Sequence, residues 1–94
     1  MLALSRNVGE SFCFYADGQE IGVLTLVKVN RSAVYISYKK KAVIKNFQVL
    51  LDTVFCVEQG ISFRCYTYSN HIRFSFRLAP HIKVLREEIK DKKP

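Results

Sequence analysis

Ninety-four residues, 49% hydrophobic and 13% aromatic, are enough for one small domain with a core, which excludes global disorder. Fifteen Lys and Arg against eight Asp and Glu leave a net charge of +7, which favours a polyanionic partner, nucleic acid before an anionic membrane. No apolar run of about 18 residues is present, and the N-terminus lacks the basic-then-apolar order of a signal peptide. Cys13, Cys56 and Cys65 are an odd number without C-x-x-C spacing, which points to a reducing compartment and away from a disulfide scaffold or a metal site.

Strand signals dominate the chain. Phe12 to Tyr15 is a short aromatic run, closed by Ala16-Asp17-Gly18, where Gly18 supplies the positive φ of a tight turn. In the next segment Ile21, Val23, Thr25 and Val27 share one face and Gly22, Leu24, Leu26 and Lys28 the other, so both faces are partly apolar. Asn30-Arg31-Ser32 reads as a turn. Val34, Ile36 and Tyr38 then alternate with Tyr35, Ser37 and Lys39, the period of two of a half-buried strand. Lys39-Lys40-Lys41 ends that strand as a basic cluster, either a solvated loop or a phosphate contact.

The second half follows the same order. Ile61, Phe63, Cys65 and Thr67 alternate with Ser62, Arg64, Tyr66 and Tyr68, and a turn at Ser69-Asn70 follows. Ile72, Phe74, Phe76 and Leu78 alternate with Arg73, Ser75 and Arg77 until Ala79-Pro80 breaks the strand. Ile82 to Arg86 is one more short strand. Glu87 to Lys93, with acids early and lysines late, suits a short C-terminal helix. The aromatics Phe12, Phe14, Tyr35, Phe63, Phe74 and Phe76 alternate as core residues do. The expected class is therefore all-β with a short C-terminal helix, as a single domain over residues 1–94.

At an offset of 40 residues, Ile21, Val23, Thr25, Val27 and Asn30 fall on Ile61, Phe63, Cys65, Thr67 and Asn70, and Val34, Ile36 and Tyr38 fall on Phe74, Phe76 and Leu78. Upstream, Ser11 to Phe14 match Thr53 to Cys56 at an offset of 42. Two alternating hairpins resemble each other by construction, but here strands, turns and Asn positions keep register together. The pattern reads as an internal repeat, 1–46 and 47–94. Asn46 to Gly60 is open to two readings: two strands joined at Asp52, which the repeat favours, or one amphipathic helix capped by Asn46 and Gly60.

Both ends carry a resemblance. Met1-Leu2-Ala3-Leu4-Ser5-Arg6-Asn7-Val8-Gly9-Glu10 resembles the N-terminal signature M-L-x-L-[ST]-R-[RK], followed by x-G-E, of the carbon storage regulator (CsrA/RsmA) family of bacterial RNA-binding translational regulators. Ala79-Pro80-His81-Ile82-Lys83-Val84-Leu85-Arg86-Glu87-Glu88-Ile89 resembles that family's A-P-x-x-[IV]-x-V-x-R-E-E-[IL]. Asn70 to Phe76 is similar to the stretch that precedes it, without its glycines. Asn7 departs from the family's second basic position.

Family members are shorter and form interlocked homodimers of five-stranded chains. The repeat and the resemblance together imply two small, mainly antiparallel, interlocked sheets in one chain, a monomeric pseudo-dimer. The alternative is a single family unit with an insertion, which would still form a homodimer. The resemblance further implies recognition of GGA motifs in RNA hairpin loops or mRNA leaders, with small regulatory RNAs as further partners, in the cytoplasm and without a cofactor. Each family site joins a first strand to a last strand. The site residues implied here are Leu4, Ser5 and Arg6 with Val84, Leu85, Arg86 and Glu88. Leu4 and Val84 would support bases, Arg6 would be a cationic contact and Arg86 the principal arginine. Phe47 to Asp52 and Val43 to Asn46 do not keep the motifs, so one site is expected intact and one degenerate.

Each of these residues also has a plain structural role open to it: Leu4 and Val84 as core, Arg6 as a solvated edge charge, Arg86 as a partner of Glu87. No nucleophile, base and orienter form a recognisable signature and no glycine-rich phosphate loop is present, so an enzyme is not expected. The competing function is a protein-interaction modulator of such regulators with weak or no RNA binding.

Overall fold

The computed structural model describes residues 2–86. Nine strands follow one another: β1 (Leu2–Arg6), β2 (Ser11–Ala16), β3 (Gln19–Val29), β4 (Ala33–Lys40), β5 (Val43–Leu50), β6 (Val54–Glu58), β7 (Ile61–Tyr68), β8 (His71–Leu78) and β9 (Ile82–Arg86). No helix occurs among the described residues. The helix expected over Glu87 to Lys93 lies outside them. The stretch from Asn46 to Gly60 adopts the two-strand reading, with its turn at Leu51-Asp52-Thr53.

Turn chemistry sets the hairpins. Asp17 and Gly18 carry φ of 54° and 78°, the pair of positive values that a two-residue type I′ turn needs between β2 and β3. Ser69 and Asn70, at 48° and 66°, do the same between β7 and β8. Between β3 and β4 the Asn30 side chain accepts bonds from the Ser32 and Ala33 N–H groups, at 3.0 and 2.8 Å, and folds the chain without a glycine.

The strands form two antiparallel sheets, a four-stranded one in the order β1-β8-β7-β6 and a five-stranded one in the order β5-β4-β3-β2-β9. The sheets are interlocked by their terminal strands. β1 crosses over to pair with β8, and β9 crosses back to pair with β2. Both inner faces contribute to one core, in which Phe12, Phe14, Leu24, Ile61, Cys65 and Phe74 are fully buried. Phe12 is its hub, with ring centroids 5.1 Å from Phe74 and 4.9 Å from Phe76, both edge-on. Each buried phenylalanine contributes about 1.5–3 kcal/mol from area alone.

The inward phase settles β3, which its residues left open, and corrects the reading of Tyr35. In β3 it is Gly22, Leu24 and Leu26 that face the core, while Val23 and Thr25 lie partly exposed on the other face and Ile21 packs partly buried against the core. Tyr35 is not a core residue. It stands on the outer face of β4, under the Lys28 ammonium at 5.7 Å, while Tyr38 is the buried tyrosine of that strand. A register shift between Leu26 and Lys28 inserts one residue, Val27, which is 50% exposed. The core rows of the two hairpins consequently correspond at 39 and 38 residues: Leu24 pairs with Tyr38 where Phe63 pairs with Phe76, and Leu26 pairs with Ile36 where Cys65 pairs with Phe74.

Candidate nucleic-acid interface

β1 and β9 are the edge strands of different sheets, and they flank the same rim of the sandwich. The reason is local packing. β2, the neighbour of β9, lays Phe12 on Phe74 and Phe76 of β8, the neighbour of β1. Leu4 is the cross-strand partner of Phe74, and Arg86 is the cross-strand partner of Phe12. Antiparallel partners project to the same side, so Arg86 follows Ile82 and Val84 on the inward phase of β9 and ends that row at the rim.

Arg6 is buried, at 7% exposure. Its Nε donates to the Ser5 carbonyl at 3.0 Å and its Nη1 to the Ser11 carbonyl at 3.2 Å. The guanidinium lies 5.5 Å from the centre of the Phe12 ring, and Glu10 Oε1 stands 3.9 Å from Nε. These contacts tie the end of β1 to the start of β2, so Arg6 is not a solvated edge charge. Glu10 also accepts the Asn7 N–H at 2.8 Å, and Gly9, at φ 91°, donates to the Leu26 carbonyl at 2.7 Å. The segment from Arg6 to Glu10 is thus a self-bonded corner that aims β1 along the rim.

The remaining expected residues divide by strand phase. Leu4 is partly buried against the core and Val84 is 7% exposed beside Phe14. Ser5 faces outward next to Arg73, and Leu85 is half-buried on the outer face, lining a groove with Tyr15, Lys83 and His81. Arg86 is half-buried, and its Nε is enclosed without a hydrogen-bond partner. Glu88 lies outside the described residues. No protein-family model, no curated protein and no solved structure matches this chain.

Two residues of the rim were not singled out for the site from sequence. Phe12 reads as core, and it is, but its ring also carries the Arg6 guanidinium. Ser11 supplies the carbonyl that holds Arg6 and bonds Thr25 through its hydroxyl at 2.7 Å. The only advance signal was their adjacency to the Gly9-Glu10 turn.

A second polar cluster joins the sheets at the opposite rim. Tyr38 Oη of β4 donates to Glu58 Oε2 of β6 at 2.6 Å, and Lys40 pairs with the other carboxylate oxygen. Burial, and then the Glu58 bond, push the Tyr38 phenol well above its ordinary value. Desolvation alone would raise the Glu58 carboxyl, but the bonds from Lys40 and Tyr38 outweigh it and hold the group below the usual glutamate range. Lys40 is therefore committed to an ion pair, while Lys41 and Lys45 line the open groove beside it.

Proposed function

We propose that this chain is an RNA-binding regulator of translation of the carbon storage regulator type, with two halves of one chain taking the places of two subunits. The observation that carries the reading is the exchange of β1 and β9. The two strands that bear the family-like motifs are edge strands of different sheets, and both reach Phe12: the Arg6 guanidinium lies against its ring and Arg86 is its cross-strand partner.

The paired rows support the two-half reading. Applied to the outer strands, the same correspondence sets Phe12 against Phe55, since each partners the inner row of its hairpin. It sets Leu4 against Phe47 and Arg6 against Val49, a buried apolar residue at 2% exposure. Among the described residues no strand lies outside β6 where β9 lies outside β2. One loop site per chain follows. An unpaired RNA loop is suited to such a rim, because splayed bases can be addressed by strand backbone groups and by a planar guanidinium. Arg86 is the residue expected to touch RNA, Leu4 and Val84 support it from the core, and Arg6 positions β1. Ser5, Leu85 and Glu88 complete the proposed strand pair. A cytoplasmic setting agrees with the lack of a disulfide among the described residues, which include Cys13, Cys56 and Cys65.

The test is a titration of a GGA hairpin and of the same hairpin with its loop mutated. Arg86→Ala is expected to cost about 1–3 kcal/mol of binding and to narrow the gap between the two RNAs, as loss of an arginine–base contact does. Unchanged affinity in a folded Arg86→Ala protein would overturn the reading. One observation favours the modulator reading instead: β6 is an outer strand with Val54 76% exposed at its start and with Val57 and Glu58 lining a groove with Lys41 and Lys45 at its end, and a partner's strand could extend the sheet there. Retained partner binding by a chain that ignores the hairpin would select it.

A further inference from the structure

The outer face of the four-stranded sheet is rich in arginine and tyrosine. Register fixes who stands there. One row crosses all four strands as Ala3, Ser75, Arg64 and Val54. The next holds Ser5, Arg73 and Tyr66, and the rows on either side add Arg77 with Ser62 and His71 with Tyr68. Three arginines and two tyrosines thus occupy the outward positions of β7 and β8.

Among the described residues none of these arginines has a carboxylate partner. The ion pairs of Arg6 with Glu10 and of Lys40 with Glu58 both lie off this face. The only acid on the strands of this sheet is Glu58, which is committed to Tyr38 and Lys40. Asp52, in the turn before β6, stands at the margin with its N–H bonded to the Cys65 carbonyl. The guanidinium groups are instead spread over the rings: Arg73 lies 4.6 Å from the centre of Tyr68, which is 55% exposed, and Arg64 lies 5.5 Å from Tyr66. Between the arginines the floor is low, a depression formed by Ser62, Ser75, Arg64, Arg77 and Val54.

We propose that this face is a second RNA surface, a track for single-stranded RNA that reads the backbone and the flat faces of bases without sequence preference. The chemistry is specific to that ligand. Uncompensated arginines attract phosphates, and a ring already paired with a guanidinium forms a flat cationic platform on which any base stacks. Small side chains in the middle rows let a strand lie close to the sheet. The face is continuous with the loop rim, because Ser5 of β1 is the direct neighbour of Arg73. RNA leaving a bound loop would cross it. The choice of RNA over DNA rests on the function proposed above; the single-stranded, sequence-tolerant mode rests on this face alone.

The probe is a fluorescent uridine 12-mer, which contains no GGA, titrated against the full chain by anisotropy over a range of salt. The parent is expected to bind it. Arg64→Gln, Arg73→Gln and Arg77→Gln combined should weaken binding at least tenfold at 0.15 M salt. They should also flatten the log–log salt slope by about two, as loss of three phosphate contacts to a single strand does. Tyr68→Leu should weaken the uridine 12-mer severalfold and leave binding of heparin, a polyanion without bases, unchanged. If the combined variant does not fold by circular dichroism, Arg64→Gln and Arg77→Gln singly, both exposed, are read for the same slope. Absence of binding by the parent, a combined variant as tight as the parent, or a Tyr68→Leu protein that loses nothing on RNA would each overturn the proposal. The GGA hairpin and Arg86→Ala test the loop reading separately, so the two can fail independently.

Discussion

The ring of Tyr38 lies over the backbone of Gly22, one row along from its own cross-strand partner Leu24. A Cβ placed on Gly22 would fall 2.1 Å from Tyr38 Oη and 2.4 Å from Cζ. Gly22 sits in ordinary strand backbone, so its role is to vacate space and not to permit an unusual φ. Gly22→Ala is expected to destabilise the fold by about 1–3 kcal/mol by overpacking, because Tyr38 is 4% exposed and cannot swing away without breaking its bond to Glu58. Urea denaturation measures this. In a Tyr38→Leu background the same change should cost much less, and equal costs in both backgrounds would show that the ring is not the obstacle.

Glu58 links the sheets to pH. Its carboxyl is held below the ordinary range in the folded protein, so the linked stability is present above the unfolded value of about 4.3 and is lost as pH falls through the folded one. The Tyr38 phenol is raised, so its contribution is present below about 10 and is lost as pH rises past that point. Stability followed from pH 3 to pH 11 should therefore show a shallower acid limb in Glu58→Gln and a shallower alkaline limb in Tyr38→Phe. Limbs identical to the parent's would remove the cluster as their cause.

Arg6 is expected to behave as a structural residue first. Arg6→Ala breaks two bonds to backbone carbonyls and the contact with Phe12, and should cost about 1–3 kcal/mol in thermal or chemical unfolding. Arg6→Lys should not recover most of it, since an ammonium cannot reproduce the fork that reaches Ser5 and Ser11 while lying on a ring. Full stability in Arg6→Ala would contradict the corner described here.

The two-half reading predicts a monomer near 10.9 kDa. Sedimentation or light scattering from about 1 to 100 μM should give one mass throughout, because β1 and β9 already satisfy both sheets within the chain. A concentration-independent dimer would restore the inserted-unit alternative.

Much of this protein was legible in its residues. The alternation at Ile61, Phe63, Cys65 and at Ile72, Phe74, Phe76 named the inward faces of β7 and β8. By the same count it placed Arg64, Tyr66, Arg73 and Arg77 outside. Asp17-Gly18 and Ser69-Asn70 named two hairpins, since their positive φ is a local property. β3 was undecided because both of its faces are apolar; its phase was settled by which row could meet Phe12, Phe14 and Tyr38, and Gly22 belongs to that row because Tyr38 fills its place. Burial of Arg6 was invisible, since nothing in Leu4-Ser5-Arg6 says that a ring and two carbonyls from other residues will enclose the guanidinium. Nor does a five-residue strand specify its neighbour. Sequence determined the strands, because alternation and turn geometry act over a few bonds. Only the tertiary structure decided that β1 and β9 exchange sheets and share a rim, because strand pairing is chosen by the burial of rows far apart in the chain.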